Sequence, residues 1–447
     1  MRKSILFLVM IIQVQLFAQD SKKLSFSLRE AIDHAVKNNY NSINASREIE
    51  AAKQKKWETT TMGLPQITGN VSYQSIFEAQ KQGVYANNFD ANAPAGLIIP
   101  VGFGLKHNMV GTLTLNQLIF DGSYLVGLES AKTYLKISQN AQKKTNQEVT
   151  ELTTNAYGNV LLAEESIKIV ERNKAILEKT LKETSETYKN GFLEEEAVER
   201  IQITLASVNS TLDYATRMKV IASNMLKLMM GIELNEEIVL TDKLDILTTQ
   251  NIDMALLSET FKVENNIDYQ IEKNVEESKR LLLKLERSKA LPSLGAQVNF
   301  GYNTFNDSFT MFNSDQKWYN FSNFGVGLNV PIFSSFGRNS RTEQAKIAFE
   351  QAKTKVLETE QTLQLQYQKA RSDYEYSVAQ YNSAKSTLNL SERIENKQQI
   401  KFKEGLSTSF EFTEAQRQLY TAQQSYLQAM VDIINKRAAL EKIINKN

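Results

Sequence analysis

The chain has 447 residues, of which 42% are hydrophobic and 23% charged, a composition typical of a folded rather than a disordered protein. The 52 Lys and Arg residues nearly balance the 51 Asp and Glu residues, so no overall charge attracts the chain to nucleic acid. The absence of cysteine excludes disulfides, thiolate metal sites and a thiol nucleophile. Only 5 Pro and 18 Gly residues occur, which predicts long uninterrupted elements.

The first 18 residues have the pattern of a secretory signal peptide. Arg2 and Lys3 form a basic region, residues 5–17 form an apolar region, and Ala18 is a small residue suited to the cleavage position. No later segment reaches about 18 consecutive apolar residues, which is the length that indicates a membrane-spanning helix. We therefore expect any insertion of the mature chain into a membrane to occur through strands.

The sequence repeats itself once. Residues 64–69 (LPQITG) resemble residues 291–296 (LPSLGA) at an offset of 227, and residues 188–192 (YKNGF) resemble residues 402–406 (FKEGL) at an offset of 214. Each half reads as helix, strand, loop, strand, long helix, turn and helix. The predicted domains are a first structural repeat at residues 19–231, a small equatorial linker element at 232–257 and a second repeat at 258–447.

Four segments alternate between apolar and small polar residues with a period of two, as strands with one apolar face do. They lie at about residues 66–77, 109–120, 293–304 and 322–332. Their lengths of about 9 to 11 residues are those of transmembrane strands, although two soluble hairpins packed on helices would alternate equally well. Aromatic residues near the strand ends favour the membrane; they are Tyr73, Phe77, Phe120, Tyr302, Trp318, Tyr319 and Phe321.

Two segments predict long coiled-coil helices. A seven-residue series begins at Leu128 and runs through Leu135 and on to Leu177, and a second series runs from Phe349 to Ala384. Each helix is followed by a turn, near residues 191 and 405, and then by another helix. A fibrous coiled coil would show the same heptads, so the helices alone do not indicate a channel.

In this order, the segments resemble the TolC-like outer-membrane efflux protein family over essentially the whole mature chain. The resemblance rests on residues 28–32 (LREAI), Asn38 with Asn39, the two Leu-Pro strand entries, residues 330–333 (VPIF) and, most strongly, residues 402–416 (FKEGLSTSFEFTEAQ). It implies an α+β membrane protein in which four transmembrane β-strands per subunit complete a trimeric 12-stranded barrel. The long helices would form a periplasmic α-barrel.

The resemblance also implies a function and a set of partners. Family members are passive exit ducts of tripartite efflux or type I secretion systems, placed in the outer membrane with the helical tunnel in the periplasm. The implied partners are two further copies of the chain, a periplasmic adaptor (membrane fusion) protein, an inner-membrane transporter and outer-membrane lipid. The alternative is a periplasmic adaptor or a coiled-coil structural protein of an export complex.

Site residues follow from the same resemblance. The implied channel aperture contains Glu411 and Glu414, with Phe402 and Ser407 where some members have a tyrosine and an arginine that lock the closed state. The implied adaptor-docking tip contains Gly191, Phe192, Leu193, Gly405 and Leu406. Structural roles are also open, because Thr408 with Glu411 forms a capping box and Glu414 could pair with Arg417. If six carboxylates met at one constriction, we would expect them to raise each other's pKa.

The sequence offers little that indicates an enzyme. Its two histidines, His34 and His107, are far apart, and no phosphate-binding or dinucleotide-binding glycine pattern is present. We therefore expect no catalytic residue, no cofactor, no metal site and no nucleic-acid partner.

Overall fold

A computed structural model of the chain describes residues 24–445, so the predicted signal peptide lies outside the described residues. The helices are α1 (Leu28–Asn38), α2 (Tyr40–Thr61), α3 (Gly122–Lys189), α4 (Glu195–Met230), α5 (Leu244–Gln250), α6 (Ile267–Ser288), α7 (Gly337–Lys403) and α8 (Ser409–Ile444). The strands are β1 (Leu24–Phe26), β2 (Gln66–Ser75), β3 (Lys81–Tyr85), β4 (Ile98–Gly102), β5 (His107–Asp121), β6 (Ile238–Leu240), β7 (Ser293–Asn306) and β8 (Tyr319–Asn329). The fold class is therefore α+β and rich in helix.

The described chain divides into two compact units. Unit 1 contains the described residues up to Ile49, Ser138–Glu272 and those from Val356 onward; unit 2 contains Glu50–Ile137 and Lys273–Lys355. Each unit takes residues from both halves of the sequence. Of the helices that the structure describes, none is both long enough and apolar enough to cross a membrane.

Unit 2 contains a four-stranded antiparallel sheet in the order β2-β5-β7-β8. Ile67, Leu115, Val298 and Phe324 lie opposite one another and form one apolar row across all four strands. Ile67 and Phe324 are each 70% exposed, so this apolar face is open in the single chain. An apolar sheet face of this kind is an interaction surface.

The opposite face of the sheet is polar and uncharged. In the next row, Thr114 Oγ1 donates a hydrogen bond to Asn299 Oδ1 at 2.7 Å, and Asn299 Nδ2 donates to Asn323 Oδ1 at 2.9 Å. The four strands of this sheet contain no Lys, Arg or Glu, and their only ionisable groups besides tyrosines are the terminal His107 and Asp121. The period-two alternation therefore separates an apolar face from a hydrogen-bonded polar face.

Two buried asparagines in unit 1 hold equivalent helix ends together. Asn39 is 5% exposed, and its Nδ2 donates to the Met229 carbonyl at 2.8 Å near the end of α4. Asn266 is 3% exposed, and its Nδ2 donates to the Ile443 carbonyl at 2.9 Å near the end of α8. Each Oδ1 also accepts a 2.8 Å hydrogen bond from the backbone N–H two residues ahead. Because both groups are buried, an apolar replacement would leave backbone groups unpaired.

Two fully buried tyrosines fix the small element between the halves. Tyr157 of α3 donates to Asp242 Oδ2 at 3.0 Å. Tyr374 of α7 donates to the Asn251 carbonyl at 2.7 Å and accepts from the Asp253 N–H at 2.8 Å. The segment at 232–257 is therefore attached to both long helices through buried phenol groups, which rarely remain unpaired.

Candidate functional site

The two turns between long helices have the same backbone geometry. Gly191 has φ +78° and Gly405 has φ +70°, in the left-handed region that favours glycine. The Gly405 N–H donates to the Phe402 carbonyl at 3.1 Å, and the next N–H donates to the Lys401 carbonyl at 2.8 Å. The corresponding bonds at Gly191 measure 2.8 and 3.2 Å. Both helices therefore end in a Schellman motif, which satisfies carbonyls that would otherwise be unpaired.

Apolar side chains follow each glycine and point into solvent. Phe192 is 81% exposed and Leu406 is 77% exposed, while Leu193 is partly buried. The residue at this position of a Schellman motif frequently packs back onto its own helix. Since these two side chains remain exposed, the turns present apolar groups that a partner could cover.

Contacts between the helix pairs bring the two turns close together. Lys403 Nζ at the end of α7 lies 3.0 Å from Glu183 Oε2 of α3. The Arg200 guanidinium of α4 lies 5.6 Å from the ring centre of Phe410 of α8. The structure therefore places all five predicted tip residues at one end of the four-helix group in unit 1.

Glu411 completes a capping box at the start of α8. Its Oε2 accepts from the Thr408 N–H at 2.9 Å and from Ser407 Oγ at 2.8 Å, and its own N–H donates to Thr408 Oγ1 at 3.2 Å. The Thr408 N–H is the main cause of the lowered pKa of the Glu411 carboxyl, and the two hydroxyls lower it further. All these hydrogen-bond donors are neutral, so none of them balances the negative charge of the carboxylate.

Glu414 forms a two-point ion pair on the next turn of the same helix. Arg417 Nε lies 2.9 Å from Glu414 Oε2, and Arg417 Nη2 lies 2.6 Å from Oε1. Gln418 Nε2 adds a third donor at 3.1 Å. Hydrogen bonding to Arg417 lowers the pKa of Glu414 to about 2. Both members of the pair line a groove of about 360 Å³ between α4 and α8.

Within one chain, the pKa values of these two carboxyls are set by donors on the same chain, and the raised pKa values expected for six converging carboxylates stay a prediction. Crowded carboxylates would raise each other's pKa, whereas donors on the same chain lower the pKa of both Glu411 and Glu414. The hydrogen-bonding partners also differ in charge, because Arg417 pairs with Glu414 while only neutral groups donate to Glu411. The aperture role itself stays a prediction.

Phe402 lies in the protein interior. It is 6% exposed and stacks on the fully buried Phe412, with ring centres 5.2 Å apart and planes 5° from parallel. The same cluster includes side chains from α3 and α4, such as Leu177 and Ile201. In the single chain, Phe402 therefore packs helices together and does not line an opening, contrary to the aperture position that the sequence predicts for it. Ser407 remains beside Glu411.

Replacing Phe402 by alanine is expected to destabilise the helical hairpins by about 3–5 kcal/mol, because it removes a buried ring from a closely packed cluster. Thermal unfolding followed by circular dichroism at the helix minimum would measure the loss. Phe192→Ala is the matched control, since that ring is 81% exposed. Equal melting temperatures for the two variants would contradict the core assignment.

A partly buried polar cluster at α7 and α8 is not indicated by any sequence motif. Gln416 is 1% exposed, and its buried Oε1 has no hydrogen-bond partner among the described residues; its side chain acts to lower the pKa of the Glu395 carboxyl. Burial raises the pKa of Glu395, and burial together with the charge of Glu395 raises the pKa of Tyr420. The sequence contains one indication of this cluster, because the polar residue Gln416 lies on the apolar stripe of α8, four residues after Phe412.

The described residues contain no group of three or more His, Asp or Glu side chains arranged to hold a metal ion. His34 Nδ1 lies 3.0 Å from the Met230 carbonyl, and His107 Nδ1 lies 2.7 Å from Tyr73 Oη. The two histidines therefore have separate hydrogen-bonding partners.

Comparison with known families gives one match. Residues 276–446 match the sequence profile described as outer membrane efflux protein. No curated protein matches the chain at a significant level.

Solved structures share the fold along almost the whole chain. CusC, whose crystal structures concern transmembrane channel formation, superposes with a TM-score of 0.74 at 16% identity and covers 94% of this chain and 92% of its own. VceC from Vibrio cholerae has a TM-score of 0.70 at 14% identity, covering 93% and 95%. The Campylobacter jejuni CmeC channel has a TM-score of 0.70 at 18% identity, covering 93% and 85%.

These matches confirm the resemblance to the TolC-like outer-membrane efflux proteins that the sequence indicates. The family match also indicates an outer-membrane location for the protein.

Proposed function

From this resemblance, we propose that the protein is the outer-membrane exit duct of a tripartite efflux or type I secretion system. Substrates pass through it passively, delivered by an inner-membrane transporter through a periplasmic adaptor protein. Three copies form the duct, and each contributes four strands to a 12-stranded barrel and four long helices to a periplasmic tunnel. We assign the chain no catalytic role.

The sheet of unit 2 is the observation that carries the proposal. Its apolar face is exposed across all four strands, while its polar face is hydrogen-bonded and uncharged. In the described sheet, β2 and β8 each pair on one side only. In lipid, an unpaired strand edge costs several kcal/mol for each unsatisfied backbone group, so the sheet has to be completed by other copies.

Matched element lengths support the two-fold repeat that such a duct would use. Helices α2 and α6 each have 22 residues, α3 and α7 have 68 and 67, and α4 and α8 each have 36. Asn39 and Asn266 make equivalent hydrogen bonds in the two halves. Two similar halves would give each subunit two helical hairpins for the tunnel wall.

The turns support the proposed docking of the adaptor. Gly191 and Gly405 reverse the chain without a side chain, and Phe192 and Leu406 are exposed beside them. We propose that an adaptor covers these apolar side chains, with Leu193 at the edge of the contact. Glu411 and Glu414 start the following helix, and we propose that their copies line the aperture, with Ser407 as a hydrogen-bonding neighbour.

The mature chain is expected to purify from outer membranes as a trimer, because β2 and β8 have to pair with neighbouring copies. Native mass spectrometry in detergent would measure the subunit number. Val71→Arg places a charge on the apolar face and should sharply reduce the folded trimer, since a mid-membrane charge on that face costs about 2–4 kcal/mol. Ser72→Arg is the matched control on the opposite face and should leave most of the trimer.

Equal trimer yields for the two arginine variants would contradict the proposed lipid face. A chain that stays monomeric and dispersed without detergent would favour the alternative function as an adaptor or coiled-coil structural protein.

A further inference from the structure

The strand pairs β2–β5 and β7–β8 have the same residue register. Gln66 lies opposite Asn116 in the first pair. Ser293 lies opposite Asn329 in the second pair. Gln66 and Ser293 are 227 residues apart, which is the offset between the two Leu-Pro segments, and Asn116 and Asn329 are 213 residues apart, which is the offset between the two Ile-Phe dipeptides. A pair of opposite residues in one half can therefore be converted into the equivalent pair of the other half.

The pair β5–β7 joins the two halves of the sequence within one chain. Thr114 of β5 lies opposite Asn299 of β7 on the polar face, where their side chains share a hydrogen bond of 2.7 Å. Leu115 and Val298, in the neighbouring row, lie opposite each other on the apolar face. Both faces therefore continue from one half of the sequence into the other.

The pair β5–β7 also contains a β-bulge near the end of β5. Leu118 lies opposite Gly295. The next pair is Phe120 opposite Leu294, so Ile119 is an extra residue in β5. The pairing continues beyond this residue to the end of the strand, as it does at many bulges.

Strands β8 and β2 are the equivalents of β5 and β7 at the contact between copies. Each is an edge of the described sheet and pairs on one side only. Because all neighbouring strands of the sheet are antiparallel, β2 and β8 run in opposite directions. Closure by further copies therefore sets β8 of one copy antiparallel to β2 of the next, as β5 is to β7. We call this contact the seam.

The two offsets convert the β5–β7 register into a register for the seam. The pair Thr114 and Asn299 becomes Gly327 and Ser72 of the next copy, since 213 is added to the first number and 227 subtracted from the second. The pair in the next row becomes Leu328 and Val71 of the next copy. Leu328 and Val71 are both exposed on the apolar face, at 65% and 70%. A shift by one residue would place each opposite a polar side chain, so the match of faces supports this register.

The residues that follow β8 fit the same register. Pairing with β7 ends at Asn329, and the next apolar side chains, Ile332 and Phe333, are 89% and 75% exposed. In the converted register, Ile332 is the extra residue of a bulge and Phe333 lies opposite Ile67 of the next copy. Pro331 immediately precedes this bulge. Within sheets, proline occurs at edges and bulges because it has no N–H for the ladder.

Contacts within the chain hold this segment in one conformation. Arg338 Nη1 donates to the Pro331 carbonyl at 2.8 Å. Ser335 and Phe336 have φ +48° and +63°, in the left-handed region that costs a residue with a side chain about 1–2 kcal/mol. Strained backbone that surrounding contacts maintain is frequent at functional segments. An edge that is already ordered loses less conformational entropy when a partner strand binds.

We propose that β8 of one copy pairs with β2 of the next with Gly327 opposite Ser72. Beyond a bulge at Ile332, the pairing continues to Phe333, which lies opposite Ile67. This interface rests on the proposed function, since it requires a closed ring of copies. It specifies one register among those that two free edges could adopt, and it covers the exposed side chains after β8 with the start of the neighbouring β2.

Disulfides can report the register, because the chain has no cysteine of its own. Ser72→Cys and Gly327→Cys are combined in one chain, and purified trimers are oxidised and run on a denaturing gel. We expect covalent dimers and trimers that return to monomers after reduction. Within one sheet the two positions are three strand spacings apart, about 14 Å, which no disulfide can bridge. Each disulfide therefore joins two copies.

Two register controls keep Ser72→Cys and move the second cysteine by two residues on the same polar face. They carry Gly325→Cys or Asn329→Cys in place of Gly327→Cys. Diagonal neighbours in an antiparallel pair are about 7–8 Å apart, beyond the usual disulfide range, so both controls should lose most of the covalent product. A Cβ at Gly327 meets no described atom within 4 Å, and one at Gly325 comes no closer than 3.6 Å, so the sheet can accept either cysteine.

A second cysteine pair tests the end of the seam. Ile67→Cys with Phe333→Cys should also give covalent dimers and trimers, because the pairing continues past the bulge. Ile67→Cys with Phe336→Cys is the matched control and should lose most of this product. Phe333 and Phe336 are 75% and 74% exposed in the single chain, so accessibility alone would not separate the two variants.

The outcomes separate this proposal from the proposed function. Trimers in which Ser72→Cys bonds mainly to Gly325→Cys or Asn329→Cys, or to none of the three positions, would overturn the register alone. Trimers that give the 72–327 product but no 67–333 product would overturn the bulge and the contact of Phe333. If the first cysteine pair prevents assembly, Val71→Cys with Leu328→Cys tests the same register from the apolar face. Absence of trimers in the unmodified protein would overturn the proposed function itself.

Discussion

Replacing Glu411 and Glu414 by glutamine is expected to abolish most of the cation selectivity of the assembled channel. Copies of these carboxylates would meet at one constriction, where a narrow opening focuses their field on passing ions. In a tenfold salt gradient an ideally cation-selective pore gives a reversal potential of about 59 mV. The native channel should give a substantial part of this value, and the double variant should give a value near zero. Planar bilayer recordings would measure both.

Each single substitution removes one negative charge from every copy. Glu411 accepts hydrogen bonds only from neutral groups, so Glu411→Gln leaves no unpaired cation. Arg417 balances the charge of Glu414 through two hydrogen bonds, so Glu414→Gln leaves Arg417 unpaired. Both single variants should therefore shift the reversal potential toward anions, and the double variant should shift it furthest.

The cation selectivity of the channel should fall as the pH is lowered. The pKa of both carboxyls is lowered, to about 2 for Glu414, so both stay ionised below the usual range for glutamate. Cation selectivity should therefore persist at mildly acidic pH and disappear only as the pH falls through these lowered values. Loss of selectivity above the ordinary glutamate pKa would indicate that the carboxylates crowd one another in the trimer.

The chain contains a matched control for this experiment. Glu30 forms the same capping box with Ser27 at the start of α1, with a 2.8 Å hydrogen bond from the Ser27 N–H. Glutamine preserves a capping box, so Glu30→Gln and Glu411→Gln should perturb their helices equally little. An unchanged reversal potential in both variants would mean that Glu411 serves only as a capping partner.

Local sequence signals located the secondary structure well. The alternation predicts strands within about three residues of the four long strands that the structure contains, because period-two burial depends only on neighbouring residues. Gly191 and Gly405 likewise mark turns through their own backbone preference. The sequence predicts only a loop where the structure has the hairpin of β3 and β4 at 76–106, since the hairpin strands are short and make no alternation strong enough to identify.

Non-local packing explains what the sequence could not predict. Phe402 looked like an aperture residue by its place in the family motif, but its ring packs among four helices whose relative rotation no single segment specifies. The two compact units likewise combine residues from both halves, which a repeat in the sequence does not indicate. The pKa directions of Glu411 and Glu414 depended on which donors lie within hydrogen-bonding distance.

Gly405→Pro is expected to abolish export while leaving the sheet inserted in the membrane. Proline fixes φ near −65°, whereas Gly405 has φ +70°, and proline has no N–H to donate to the Phe402 carbonyl 3.1 Å away. The Schellman turn would therefore open and displace Leu406 from the docking surface. Export of a reporter substrate and site-specific cross-linking to the adaptor should both fall.

Other substitutions at the same position can show whether the left-handed backbone conformation itself is required. A Cβ at Gly405 would meet no described atom within 4 Å, so Gly405→Val tests the backbone conformation and not steric overlap. The left-handed region costs most residues about 1–2 kcal/mol. Asparagine tolerates that region, so Gly405→Asn should keep most export. Gly337→Val, at an equally open position without positive φ, should have little effect. Normal export and unchanged cross-linking in Gly405→Pro would show that the adaptor docks elsewhere.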